Sequence, residues 1–196
     1  MSYSITALTD DYYEGTNCLI NKLNIQNEEQ LAKIEASITM AKTAELERNP
    51  ISVSFDFEHY KLIHKYLFED LYEWAGCIRT VDISKKGTNF TSSQNIETVA
   101  IACFDRLKSY NYFRNVDFED FVENIVDFYC STNMLHPFRE GNGRTQRIFI
   151  AQLIRFCGYD INFSEIDTDD LMVATIHSAN GVTDHLKEIF KAHIKH

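Results

Sequence analysis

Apolar positions recur along this chain mainly at helical spacing, and the breaks between periodic stretches are short. A polar, hydroxyl-rich lead-in covers residues 1–12, and the first apolar positions are Leu19, Ile20, Leu23 and Ile25. Asn27 has the chemistry of an N-cap, with Glu28 and Glu29 in the turn that follows. The spacing predicts a helix from there to about Glu47, with Leu31, Ile34, Ile38, Ala41 and Leu46 inward. Asn49-Pro50 closes it, because proline disfavours helix at the preceding residue. A second helix is predicted over 56–73, capped by Asp56 and ended by Trp74-Ala75-Gly76; its apolar positions are Phe57, Tyr60, Leu62, Ile63, Tyr66, Leu67 and Leu71. Residues 78–83 alternate with a period near two, 84–87 are turn-like, and 88–91 can return. That predicts one β-hairpin at about 79–91 and no other β-structure. Helices follow at about 95–110 and 117–133, then one from about Gly143 that Gly158 stops, then two short ones at 164–178 and 182–194. The fold class is all-α: a helical bundle with one β-hairpin, residues 1–49 forming an N-terminal helical arm and 50–196 the core.

Composition narrows the function. With 196 residues and 44% hydrophobic content the chain can bury one sizeable core. A net charge of −10 argues against direct nucleic-acid binding, which needs a basic face. No run reaches the ~18 apolar residues of a membrane helix, and no signal peptide is visible, so a cytoplasmic protein without membrane partners is expected. The five cysteines are odd in number and form no Cys-x-x-Cys, which predicts buried reduced thiols. The seven histidines show no i, i+4 pair of the kind that holds zinc on a helix.

Most of the chemistry is concentrated in residues 136–147, His-Pro-Phe-Arg-Glu-Gly-Asn-Gly-Arg-Thr-Gln-Arg. His136 sits just past one helix, and Gly141-Asn142-Gly143 leads into the next. Glycines opening a helix make an anion site, because unpaired N–H groups and the helix dipole both favour negative charge. Arg144 and Arg147 share a helix face, and guanidinium forks suit phosphate oxygens. Glu140 could hold Mg²⁺, which binds through few carboxylates plus substrate phosphates, and His136 is the natural proton acceptor. No P-loop Gly-x-x-x-x-Gly-Lys-Ser/Thr is present, so a P-loop kinase or GTPase is excluded.

This stretch resembles the signature of the Fic family (filamentation induced by cAMP), His-x-Phe-x-Asp/Glu-Gly-Asn-Gly-Arg-x-x-Arg, at every fixed position. Residues 72–81 resemble the segment before the Fic flap, and residues 13–49 the N-terminal part of Fic domains of bacterial toxins and secreted effectors. The resemblance implies a Fic fold and transfer of AMP from ATP to a Ser, Thr or Tyr hydroxyl of a target protein, with the protein itself also modified. It implies that His136 deprotonates the hydroxyl and that Glu140 holds Mg²⁺ against the α- and β-phosphates. Asn142, with the N–H groups of Gly141 and Gly143, would bind phosphate oxygens, Arg144 and Arg147 would grip the β- and γ-phosphates, and Phe138 would point inward as an anchor. The flap, Thr80, Val81, Asp82, Ile83, Ser84, Lys85, Lys86, Gly87, Thr88, Asn89 and Phe90, would dock the target by strand addition. Residues 159–180 are the stretch expected at the adenine. Two alternatives stay open: Fic-type transfer of another phosphate-containing group, and a non-catalytic nucleotide-binding module.

Fic enzymes are commonly restrained by a helix bearing Ser/Thr-x-x-x-Glu-Gly/Asn, whose glutamate pairs with the second signature arginine, here Arg147. Glu35 lies in a suitable helix, but Leu31 and Ala36 stand where the hydroxyl residue and the Gly or Asn belong. Three readings follow: a purely structural helix, a separate small antitoxin, or Glu35 as a degenerate regulatory brake. On the first two, Glu35→Ala leaves ATP affinity and self-modification nearly unchanged.

Overall fold

A computed structural model describes residues 4–5, 11–51, 54–85 and 87–196. Side-chain caps fix where its helices begin. In α1 (Glu28–Arg48) Asn27 Oδ1 accepts from the Gln30 N–H at 2.9 Å. In α2 (Phe57–Phe68) Asp56 accepts from His59 at 2.8 Å, and in α4 (Phe118–Leu135) Asp117 accepts from Asp120 at 2.9 Å. Between them runs α3 (Ile96–Ser109), and after them α5 (Asn142–Phe156), α6 (Thr168–Ser178) and α7 (Asp184–His193). The helical bundle expected from the periodicity is the observed architecture.

Helix α5 is the centre of the bundle and packs against α1, α2 and α4. Phe149, Ile150, Leu153 and Ile154 on it are fully buried. The ring of Phe149 lies 5.3–5.9 Å, centre to centre, from the rings of Phe55, His59, Tyr60, Phe104 and Phe128. The helix that carries the signature is thereby anchored in the aromatic core.

The structure departs from the sequence expectations in several places. Helix α2 stops at Phe68 rather than 73. Leu71 and Tyr72 remain buried beyond it because their N–H groups turn back onto the Phe68 carbonyl, both at 2.9 Å. Leu62, assigned to the apolar face, is exposed. The inward face of α1 also differs: Ala41 is exposed and Ile34 and Ile38 are half-buried, while Glu35 and Thr39 are buried. Of the five free cysteines only Cys18 is buried, and Cys77 is exposed.

The β-structure is more than one hairpin. Strands β2 (Ile83–Lys85) and β3 (Thr88–Asn89) pair antiparallel with Ser84 opposite Asn89. Their hairpin is shorter than 79–91, and Lys86 lies outside the described residues. The lead-in contributes β1 (Ser4–Ile5), antiparallel to the other edge of β2 with Ile5 opposite Ile83. A second pair joins β4 (Asp160–Ile161) to β5 (Ile194–Lys195). Two-residue strands are too short to show a period, which is why the sequence did not announce them. Among the described residues no helix is long and apolar enough to cross a membrane.

The packing around Phe149 generates a stability prediction. Phe149→Ala should cost about 3–5 kcal/mol, read as a lower urea midpoint at unchanged slope. A loss below about 1 kcal/mol would mean that the surrounding rings close the void.

Candidate active site

The loop between α4 and α5 is held by one side chain. Asn142, the first residue of α5, accepts from the Phe138 N–H through Oδ1 and donates to the Phe138 carbonyl through Nδ2, both at 2.8 Å. Phe138 is thereby pinned inward, fully buried, with its ring stacked 3.8 Å from His64. His64 in turn donates from Nε2 to the Glu140 carbonyl at 3.0 Å and accepts the Gly76 N–H at Nδ1, 2.8 Å. Accepting the Gly76 N–H requires an unprotonated Nδ1 and hence the neutral ring, and burial pushes the His64 pKa down to about 3. Both the oxygen and the nitrogen of the buried Asn142 amide are engaged in this clamp. What faces outward is backbone: the N–H groups of Asn142, Gly143 and Arg144 open α5 with no intrahelical acceptor. The Gly141 N–H is bonded to Glu140 Oε1 at 2.9 Å. Gly141 has φ +79°, and a Cβ there would lie 2.2 Å from Cζ of Phe68, so backbone and packing both require glycine.

His136 ends α4 in the left-handed region, φ 42° and ψ 60°. Its Nδ1 lies 2.9 Å from the Asn133 carbonyl, so Nδ1 carries the proton and Nε2 is the ring's acceptor. The Phe90 ring stacks on it at 3.7 Å. Burial pushes the His136 pKa down to about 3, with the cations Lys85 and Arg79 acting in the same direction.

Arg79 was not assigned a role from sequence, and it ties the hairpin to the motif. Its buried guanidinium donates to the carbonyls of His136 at 2.9 Å, Val81 at 2.6 Å and Thr91. The signal was available: in the predicted strand a cation shares the face of Val81 and Ile83. Meeting that cation with carbonyls also breaks the strand before Ile83. Of the flap residues, Thr80 and Asp82 are exposed, Val81 is half-buried, and Asp82 accepts from the Ser93 N–H at 2.6 Å. Ile83 is buried, Ser84 and Asn89 pair across the hairpin, and Gly87 turns with φ +81°. Lys85, Thr88 and Phe90 reach the site.

That site is an open cleft of about 960 Å³. Thr39 of α1, Lys85 and Phe90 of the hairpin region, His136, and Arg144 and Arg147 of α5 lie on its walls. Arg147 is half-buried, and desolvation lowers its pKa from the usual arginine value. No carboxylate pairs with it among the described residues. Arg144 is paired: its Nη2 lies 2.5 Å from Oε1 of Glu35 and 3.9 Å from Oε1 of Glu140. Glu35 therefore meets the first signature arginine, not the second as the family's brake would. Arg139, at a variable position of the signature, is buried against Asp11 at 2.9 Å and Tyr12 at 2.6 Å. No group of three or more His, Cys, Asp or Glu gathers for a metal among the described residues. Glu140 is the one carboxylate of the motif, and it lies beside the start of α5.

Residues 54–154 match the family model of the Fic/DOC family. The chain belongs to that family. The Fic chain is 36% identical to the protein adenylyltransferase VbhT of Bartonella schoenbuchensis over 93% of its own length and 40% of that protein's. It is 34% identical to a Salmonella typhimurium protein named probable protein adenylyltransferase Fic, over 91% of this chain and 88% of the relative. Among solved structures it resembles the BepC effector of Bartonella tribocorum with bound AMPPNP, at a TM-score of 0.87 and 26% identity over 94% of this chain and 95% of that one. The N-terminal Fic domain of a VirB-translocated Bartonella quintana effector with bound ADP gives 0.88 and 26%, covering 94% of each chain.

The two buried imidazoles make stability depend on pH. Below the unfolded value near 6.5 the unfolded chain takes up protons that folded His64 and His136 refuse. Their contribution is complete above about pH 6.5 and is lost progressively as pH falls towards 3. The melting temperature should fall across that window, and less steeply in His136→Ala; equal slopes in the two proteins would contradict the His136 assignment.

Proposed function

We propose that this Fic protein transfers AMP from ATP to a Ser, Thr or Tyr hydroxyl of a target protein, and to itself. The observation that carries the reading is Arg147, a half-buried cation with no carboxylate partner among the described residues, on the wall of the same cleft as His136. A cation left without a carboxylate on a cleft wall favours an anion there, and a nucleotide phosphate supplies one. Arg147 and Arg144 take the distal phosphates, and the free N–H groups at the start of α5 take the oxygens nearer the reacting centre. The apolar side chains of Phe163, Ile166 and Met172 at the α6 side of the cleft offer a place for the adenine.

The target hydroxyl oxygen attacks the α-phosphorus, the bond to the β-phosphate oxygen breaks, and pyrophosphate leaves. The proton passes to Nε2 of His136, which the Asn133 bond keeps as the acceptor. A low intrinsic pKa keeps His136 unprotonated before substrate arrives. Phosphate charge then offsets the cations that depress it, so its basicity rises once nucleotide is bound. Mg²⁺, held by Glu140 with the phosphates, would neutralise charge on the leaving pyrophosphate. The hairpin places Lys85 and Phe90 at the mouth of the site, where an extended target segment can be aligned with His136. A separate antitoxin has room in the cleft that α1 and α6 both line, where a carboxylate could pair with Arg147.

Labelling with ATP carrying radioactivity at the α- or the γ-phosphate tests this. Protein-bound α-label that disappears in His136→Ala, with ATP binding retained, is the expected result. Arg147→Ala should weaken ATP binding by tenfold or more. Bound γ-label would instead mean phosphate transfer, and no label from any donor would leave a binding module.

A further inference from the structure

Arm helix α1 presents a carboxylate to the motif. Glu35 is only 9% exposed, and a buried carboxylate depends on its partners. Oε1 takes Arg144 Nη2 at 2.5 Å, and Oε2 accepts from the Tyr72 hydroxyl. One turn further along α1, Thr39 Oγ1 accepts from Arg144 Nη1 at 3.3 Å. The guanidinium also lies 4.7 Å over the Phe68 ring. Tyr72 is itself fixed by stacking on Trp74 at 4.3 Å, and burial together with the nearby Glu35 carboxylate pushes its pKa up, so the hydroxyl stays a donor. Arg144 is held from two sides, over an aromatic face.

We infer that Glu35, fixed by Tyr72, is a positioning residue that orients Arg144 for the nucleotide phosphates. The inference rests on the nucleotide reading of the cleft. A carboxylate near phosphates has two opposing effects: it repels them, and it orders the arginine that binds them. Placement decides which wins. Ala36, Thr39 and Arg144 line the cleft, whereas Glu35 does not. Both carboxylate oxygens are engaged, Oε1 by Arg144 and Oε2 by Tyr72. A brake has to engage Arg147; Glu35 pairs with Arg144 instead. Arg144 is a long side chain that loses rotamer freedom on binding, and the clamp removes that freedom beforehand. The expectation that Glu35 is idle therefore gives way: α1 forms part of the nucleotide site.

The test measures ATP binding by calorimetry in a His136→Ala background, where turnover is absent. Glu35→Ala should raise the ATP Kd about tenfold, and Tyr72→Phe two- to threefold. Glu35→Gln, which preserves shape and can still accept hydrogen bonds, should fall between wild type and Glu35→Ala, and it serves should the alanine variant not fold. Arg144→Ala should weaken binding by itself, and Glu35→Ala added to it should change nothing further, because the carboxylate acts through that arginine. In the His136-intact protein, the rate at saturating ATP should fall less than the affinity. An unchanged Kd, or an effect additive with Arg144→Ala, overturns the proposal. Tighter binding or faster transfer in Glu35→Ala overturns it in favour of a brake. If the parent binds no ATP at all, it is the nucleotide reading that fails, not the clamp alone.

Discussion

The double hydrogen bond between the Asn142 side chain and the Phe138 backbone is the constraint on which the site depends. It closes the loop between α4 and α5 into a fixed shape. That shape holds Phe138 on the face of His64, sets the Glu140 carbonyl at the edge of the same imidazole, and leaves the start of α5 without a side-chain cap. An amide that satisfies both its groups in a buried place contributes more than either bond separately, because losing one partner strands the other. The asparagine of the motif thus fixes the shape of the loop that leads into α5.

The second organising force is the disposal of buried positive charge. The protein has 29 acidic and 19 basic side chains, yet cations crowd its active site. Each is satisfied differently. Arg79 is met mainly by three carbonyls, Arg139 by Asp11 and a tyrosine, and Arg144 by Glu35 and Thr39. Arg147 alone of these has no such partner among the described residues. Arg79 and Arg139 serve the framework, while Arg144 and Arg147 lie on the cleft wall, so a generally acidic protein gathers positive charge at one place.

Helix positions and the catalytic loop were legible in the sequence because their signals are local. Caps at Asn27, Asp56 and Asp117 announce helix starts within a few residues, and the glycines around Asn142 announce the turn into α5. What could not be read depends on partners far along the chain. Glu35 looks like an ordinary solvated helical glutamate, and periodicity assigned the inward face to Ile34, Ile38 and Ala41; only Arg144 and Tyr72 explain why Glu35 and Thr39 turn inward. Arg79 spoils a strand that its neighbours favour, because its three acceptors include the His136 and Thr91 carbonyls. The strand at Ser4–Ile5 exists only because β2 offers it an edge.

The contact between Gly141 and Phe68 gives the motif a hidden second half. The Phe68 ring fills the volume that any side chain at 141 would occupy, and its face supports Arg144. A family signature is written as one contiguous string, but this one is enforced from another helix. Relatives that keep the string while changing the residue at 68 would retain the letters and lose the cushion beneath the arginine. The heritable unit is the pair, and the dependence between its members would emerge as covariation between two positions that no linear motif joins.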